Sequence, residues 1–242
     1  MRRAGFLLAP FSLVYGFITA LRNLAFDLKV IPSSRFRIPV ISIGNLTAGG
    51  TGKSPHVEYL VRLLKPYGKV VTISRGYGRK TTGYLEVERT MTADECGDEP
   101  LMIRQKHDWI RTVVCEDRVE AIERILSDQP DTQAILLDDA YQHRSVDPSL
   151  NILLTEHDNV FRADYMLPWG NLREWKSGYR RADLIIVTKC PPISSPIEQR
   201  RIESEIKPGP GQKVFFSFMQ YGELQRADGH GQLRWRAGDQ LQ

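Results

Sequence analysis

The residues most directly suited to chemistry are Gly49-Gly50-Thr51-Gly52-Lys53-Ser54. They lie between an apolar run ending at Ile43 and a stretch where Val57, Leu60, Val61 and Leu64 recur at i, i+3, i+4 and i+7, the mark of one buried helical face. A lone glycine-rich turn with a lysine is often structural, but the position between a strand and a helix is where a phosphate loop must be. Glycines let backbone N–H groups approach phosphate, and the helix N-terminus adds positive partial charge. Lys53 can reach the β- and γ-phosphates, and Ser54 can ligate Mg²⁺. The common pattern G-x-x-x-x-G-K-[ST] would put its first glycine at Thr47. The expected nucleotide-binding set is therefore Thr47, Ala48, Gly49, Gly50, Thr51, Gly52, Lys53 and Ser54, with only its later part matching. Alanine at 48 argues against the ATPase branch that carries a lysine early in the loop.

Two acidic motifs follow. Ala134-Ile135-Leu136-Leu137-Asp138-Asp139 is an apolar strand ending in two carboxylates. Behind a phosphate loop, Asp138 and Asp139 are candidate Mg²⁺ ligands, because the metal needs hard oxygens beside the phosphates. Read alone, the pair could equally be a solvated loop after a core strand. Gly97-Asp98-Glu99-Pro100 precedes a probable helix, so Asp98 is either an N-cap or an acceptor for the proton of an attacking hydroxyl. Four arginines complete the set: Arg75 and Arg79 in Ser74–Arg79, Arg118 in Glu116-Asp117-Arg118 and Arg173 in Gly170–Glu174. Those in glycine-rich loops after strands have the better claim, because open α/β sheets bind ligands there. Arg118 and Arg173 are the candidates for stabilising charge on a transferred phosphoryl group.

The elements that must position these groups read as βαβ units around a mostly parallel sheet. Expected strands are Pro39–Ile43, Lys69–Ser74, Thr112–Cys115, Ala134–Leu137, Asn151–Leu154, Leu184–Val187 and Val214–Tyr221, with a second helix from Asp117 to Leu126. A charged helix-like stretch runs through Glu205 after Pro191, Pro192 and Pro196. Three cysteines without a C-x-x-C pair suggest neither a disulfide framework nor a zinc site. A net charge of +4 mildly favours anionic partners without choosing among phosphate, nucleic acid and an acidic bilayer face. Ala4 to Leu21 is uncharged and apolar, with Arg2, Arg3 and Arg22 at its ends. It is short for a spanning helix, which needs about 20 predominantly apolar residues, and it contains Pro10. A helix dipping into one leaflet fits better than an export signal, and a helix buried against the domain is the alternative. The expected division is an N-terminal membrane-associating helix over 1–30, a P-loop core over 31–212, and a last strand with a polar tail over 213–242.

Taken together, the motifs resemble the tetraacyldisaccharide 4′-kinase family: Gly44-Asn45-Leu46 before the phosphate loop, Ser74-Arg75-Gly76-Tyr77-Gly78-Arg79, Gly97-Asp98-Glu99-Pro100, Asp138-Asp139-Ala140-Tyr141-Gln142-His143, Pro168-Trp169-Gly170-Asn171-Leu172-Arg173-Glu174 and Arg181-Ala182-Asp183. The resemblance implies a P-loop NTPase-like fold. It also implies transfer of the γ-phosphate of ATP, with Mg²⁺, to the 4′-hydroxyl of a tetraacyldisaccharide 1-phosphate, giving lipid IVA at the cytoplasmic face of the inner membrane. The partners implied are the acylated disaccharide and an anionic membrane surface, with no nucleic acid and no obligate protein partner. Carried over by motif, the catalytic aspartate is Asp98, the Mg²⁺-side carboxylates are Asp138 and Asp139, and His143 stands nearby. Where the family continues the acidic motif with Gly-Phe, this chain has Ala140-Tyr141. The family also continues into a second domain carrying a histidine that pairs with the catalytic aspartate. Against that pattern the chain reads as truncated, and His230 is not assigned the role. The rival readings are a P-loop ATPase or GTPase acting as metallochaperone or switch, and a membrane-surface module with a vestigial loop.

Overall fold

The computed structural model describes residues 8–161 and 164–220. Its helices are α1 (Ala9–Asp27), α2 (Lys53–Leu64), α3 (Ala93–Cys96), α4 (Asp98–Lys106), α5 (Arg118–Asp128) and α6 (Pro196–Ile206). Its strands are β1 (Val40–Asn45), β2 (Val70–Ser74), β3 (Leu85–Glu86), β4 (Arg111–Val114), β5 (Ala134–Asp138), β6 (Leu150–Glu156), β7 (Leu184–Thr188) and β8 (Lys213–Phe216). They form one eight-stranded sheet in the order β3-β4-β2-β5-β1-β6-β7-β8, parallel throughout except for β3 against β4.

Alternation along the strands explains how the layers form. On β5, Ile135 and Leu137 pack with Ala121, Ile122 and Ile125 of α5, whereas Ala134 and Leu136 pack with Val57 and Val61 of α2 on the opposite face. A third cluster joins Leu153, Ile185 and Val187 to Ile202 and Ile206 of α6 and to Phe161 and Tyr179. The chain leaves β1 toward β2 on one side and reaches β6 on the other, so a crevice opens beyond the C-terminal end of β1.

Each expected strand is present within a few residues of its bounds, and the N-terminal half of Val214–Tyr221 is β8; Tyr221 lies outside the described residues. Asp117 caps α5, its carboxylate accepting from the backbone N–H groups of Val119 and Glu120. Two short elements had no clear pattern: β3, and α3, whose capping box is made by Thr92 and Glu95. Asp98 is not an N-cap. Gly97 occupies that position with no side-chain hydrogen bond, and Asp98 opens α4 instead.

The N-terminal helix is not buried by its apolar side, as the domain-packed alternative would have it. Residues 1–7, with Arg2 and Arg3, lie outside the described residues; from Ala9 the helix continues to Asp27. It does dock on the domain, but through its small and polar side. Ser12 donates to the carbonyl of Met166 at 3.0 Å, and Trp175 Nε1 donates to the carbonyl of Gly16 at 2.7 Å. Asn23 donates to Glu174 at 2.9 Å, and Asp27 pairs with Arg144 at 2.6 Å. A Cβ on Gly16 would sit 2.7 Å from the Trp175 ring, so only glycine allows this approach. Phe11, Leu13, Val14, Phe17, Ile18, Leu21, Leu24 and Leu28 all remain exposed. Among the described residues, no helix is long and apolar enough to cross a membrane.

Candidate active site

The loop after β1 takes its shape from glycine where backbone geometry demands it. Gly49 has φ +131° and Gly52 φ +81°, both in the region that side-chain-bearing residues avoid. Farther back, the loop is fastened to a segment more than a hundred residues away. Ala48 N–H donates to Asn171 O at 2.6 Å, Arg173 N–H donates to Leu46 O at 2.7 Å, and Thr47 bridges to Leu172. That pairing places Arg173 beside the phosphate loop.

A cavity of about 970 Å³ opens here, lined by Ala48, Gly49, Gly50, Gly52, Lys53 and Ser54. Opposite them stand Asp98, Glu99, Asp138 and Asp139, with Arg75 and Arg173 at its sides. Thr47 and Thr51 belong to the loop but do not line the cavity. Lys53 Nζ lies 3.5 Å from both Asn45 Oδ1 and Gly49 O, and 3.7 Å from Asp139 Oδ1. The ammonium therefore arches back over its own loop, as a phosphate-binding lysine must.

The two strand-end carboxylates are treated differently by their surroundings. Asp139, held at φ +47°, accepts from Arg173 Nη1 at 2.9 and 3.0 Å. Asp138 is buried, and its Oδ1 has no hydrogen-bond partner. Burial, with help from the carboxylates of Glu99 and Asp139, pushes its pKa up to about 7 against the pull of Lys53. A buried carboxylate oxygen without a partner is costly unless a cation meets it. Ser54 donates its hydroxyl to Glu99 Oε1 at 2.5 Å, so Ser54, Glu99 and Asp138 form one oxygen-rich corner. Residue order gives Glu99 no role of its own; only the approach of α4 to the start of α2 reveals one.

The arginines divide. Arg173 and Arg75 line the cavity. Arg79 does not: it is tied to Glu116 at 2.5 Å and to the carbonyl of Gly83 at 2.7 Å. Arg118 does not line the cavity either. It is buried and donates to the carbonyls of Cys115 and Glu116, and burial lowers its pKa to about 10. Arg118 nevertheless acts on the site through its charge, since burial and then Arg118 hold His143, which lines the cavity, down to about 4 and therefore neutral. From α1, Tyr15 also lines the cavity and donates its hydroxyl to Arg173 O at 2.9 Å, joining the exposed apolar helix to the polar cleft. Sequence reasoning gave no role to Tyr15, Glu99, Gln142 or Leu167 of this lining.

Comparison with known proteins adds to the geometry. A family model described as tetraacyldisaccharide-1-P 4′-kinase matches residues 4–235. The tetraacyldisaccharide 4′-kinase of Flavobacterium johnsoniae is 44% identical over 215 residues, covering 89% of this chain and 63% of that protein. That of Parabacteroides distasonis is 46% identical over 223 residues, covering 90% of this chain and 60% of that protein. The chain thus spans about three fifths of the length of these curated relatives. Among solved structures, LpxK from Aquifex aeolicus in complex with ATP superposes with a TM-score of 0.71 at 27% identity, over 93% of this chain and 86% of that one.

Proposed function

Because the chain belongs to the tetraacyldisaccharide-1-P 4′-kinase family, we propose that its cleft transfers the γ-phosphate of ATP to the 4′-hydroxyl of a tetraacyldisaccharide 1-phosphate, giving lipid IVA. The observation that carries this reading is that Lys53 and Ser54 face Asp98, Glu99, Asp138 and Asp139 across one cavity, while Tyr15 of the apolar helix lines its edge. The loop N–H groups and Lys53 hold the phosphates of ATP. Arg173, oriented by Asp139, lies where charge develops on the transferred group. Asp98 accepts the proton of the attacking hydroxyl as the new O–P bond forms and the bond from the γ-phosphorus to the leaving ADP breaks.

Among the described residues, no group of three or more His, Cys, Asp or Glu side chains makes a closed metal cage. The unpartnered Asp138 Oδ1, the Ser54 hydroxyl and the Glu99 carboxylate instead suit Mg²⁺, which is commonly held by one or two carboxylates together with substrate phosphates. Bound there, the ion would neutralise phosphate charge during transfer.

The outward side chains of α1 supply the remaining specificity. They suit an acylated substrate that stays in a bilayer, and they support a peripheral position on an anionic leaflet, in this reading the cytoplasmic face of the inner membrane. Against a metallochaperone or switch, Cys96, Cys115 and Cys190 are free, buried and far apart in sequence. Incubating the protein with [γ-³²P]ATP and the lipid-borne disaccharide tests the proposal. Labelled lipid is the expected product, and ATP hydrolysis without lipid labelling would overturn it.

A further inference from the structure

Two side chains outside the cavity hold the phosphate loop from behind. Thr188, at the end of β7, donates Oγ1 to Thr51 O at 2.9 Å, and His56, in the first turn of α2, places Nδ1 2.7 Å from Gly52 O. A carbonyl oxygen can only accept, so Nδ1 carries the proton and Nε2 is left as an acceptor. The Ser217 hydroxyl, just beyond β8, lies 2.9 Å from Nε2. Ser217 is itself anchored: its N–H donates to Val187 O at 2.8 Å, and its carbonyl accepts from Cys190 N–H at 2.9 Å.

In a trans peptide, C=O and N–H point to opposite sides of the chain. Fixing Thr51 O and Gly52 O from behind therefore turns the N–H groups of Gly52 and Lys53 the other way, toward the cavity those residues line. The loop needs that help at Gly52, which sits at φ +81° without a side-chain cap. The backbone bond from His56 N–H to Gly52 O is a long 3.4 Å, well beyond the ring contact to the same oxygen.

We propose that His56 is a positioning residue for nucleotide binding: it fixes the phosphate-loop peptide through Gly52 O and is itself steadied by Ser217 at the β7–β8 edge of the sheet. The inference rests on the reading that this loop binds the phosphates of ATP.

Calorimetric titration of the intact chain with ATP and Mg²⁺, with a melting curve for each variant, tests it. His56→Ala should weaken ATP binding about three- to tenfold, the worth of one net hydrogen bond, with little change in Tm. His56→Asn can put an N–H where Nδ1–H stands and should bind within about twofold of the parent. His56→Gln reaches toward Ser217, leaves Gly52 O unheld and should bind like His56→Ala. Unchanged binding in His56→Ala overturns the proposal, as does rescue by Gln in place of Asn. A fall in Tm that tracks the loss of binding across all three variants overturns it too. Lys53→Ala, titrated alongside, separates the two claims. If it binds ATP like the parent, the phosphate-loop reading fails; if it binds weakly while His56→Ala binds normally, only the role of His56 is lost.

Discussion

Helices α1 and α2 border the same cleft and are built in opposite senses. In α2 the apolar side chains Val57 and Val61 are buried against the sheet, and the hydrophobic effect holds the helix down. In α1 the buried positions include Ser12 and Gly16, while Phe11, Phe17 and Leu21 face outward. Directional hydrogen bonds to Met166 and Trp175, and the Asp27–Arg144 pair, fasten it instead. The difference separates two uses of apolar surface. In α2 it is spent on folding; in α1 it stays exposed beside the cleft, where the proposed function has it meet a bilayer. Patches of exposed apolar surface on that scale mark interaction sites.

The sharpest test of the comparison lies in the cleft itself, where substitutions should cost activity and leave the fold alone. Asp98→Asn removes the proposed proton acceptor without removing a cap, because Gly97 holds the cap position. It should lower kcat about 10²- to 10⁴-fold with an unchanged melting curve. A variant that keeps its kcat and melts early would return Asp98 to a structural role. Lys53→Ala should cost about 10²- to 10³-fold in turnover at similar stability.

The next effect separates the two helices directly. Replacing Phe11, Phe17 and Leu21 together by Ser should cut binding to anionic vesicles roughly a thousandfold, since each exposed side chain contributes about 1.5 kcal/mol or more on burial in lipid. Chemical denaturation of the same variant should give an unchanged midpoint. Val61→Ser in α2 should do the reverse, losing about 2–3 kcal/mol of stability with vesicle binding intact. If both variants lose stability equally, the apolar face of α1 belongs to the folding core after all.

The smallest effect concerns docking. Gly16→Val would drive a side chain into the Trp175 ring, so α1 should loosen at a cost of about 1–3 kcal/mol. Faster hydrogen exchange confined to α1, with α2 still protected, is the expected signature. Uniform exchange across both helices would mean that α1 is not separately fastened.

The parallel core, the phosphate loop and the carboxylates at the end of β5 could be read from residue order alone, because each is local. Alternation and helical periodicity repeat within a few residues, and Gly52-Lys53-Ser54 carries its chemistry on adjacent positions. Even the apolar character of the N-terminal helix was legible, though not the face it would turn outward. That orientation depends on Trp175 and Met166, whose distance from α1 along the chain leaves no pattern in the helix itself. The same holds for the site. Arg173 reaches Asp139 only because Thr47 bridges Leu172, and Glu99 meets Ser54 only because α4 runs up to the start of α2. Arg118 and Arg173 looked alike as arginines after strands, yet packing buried the first on backbone carbonyls and opened the second to the cleft. Residue type and spacing decide what an element can be; which groups meet, and which lose water on meeting, is decided where distant segments close on one another.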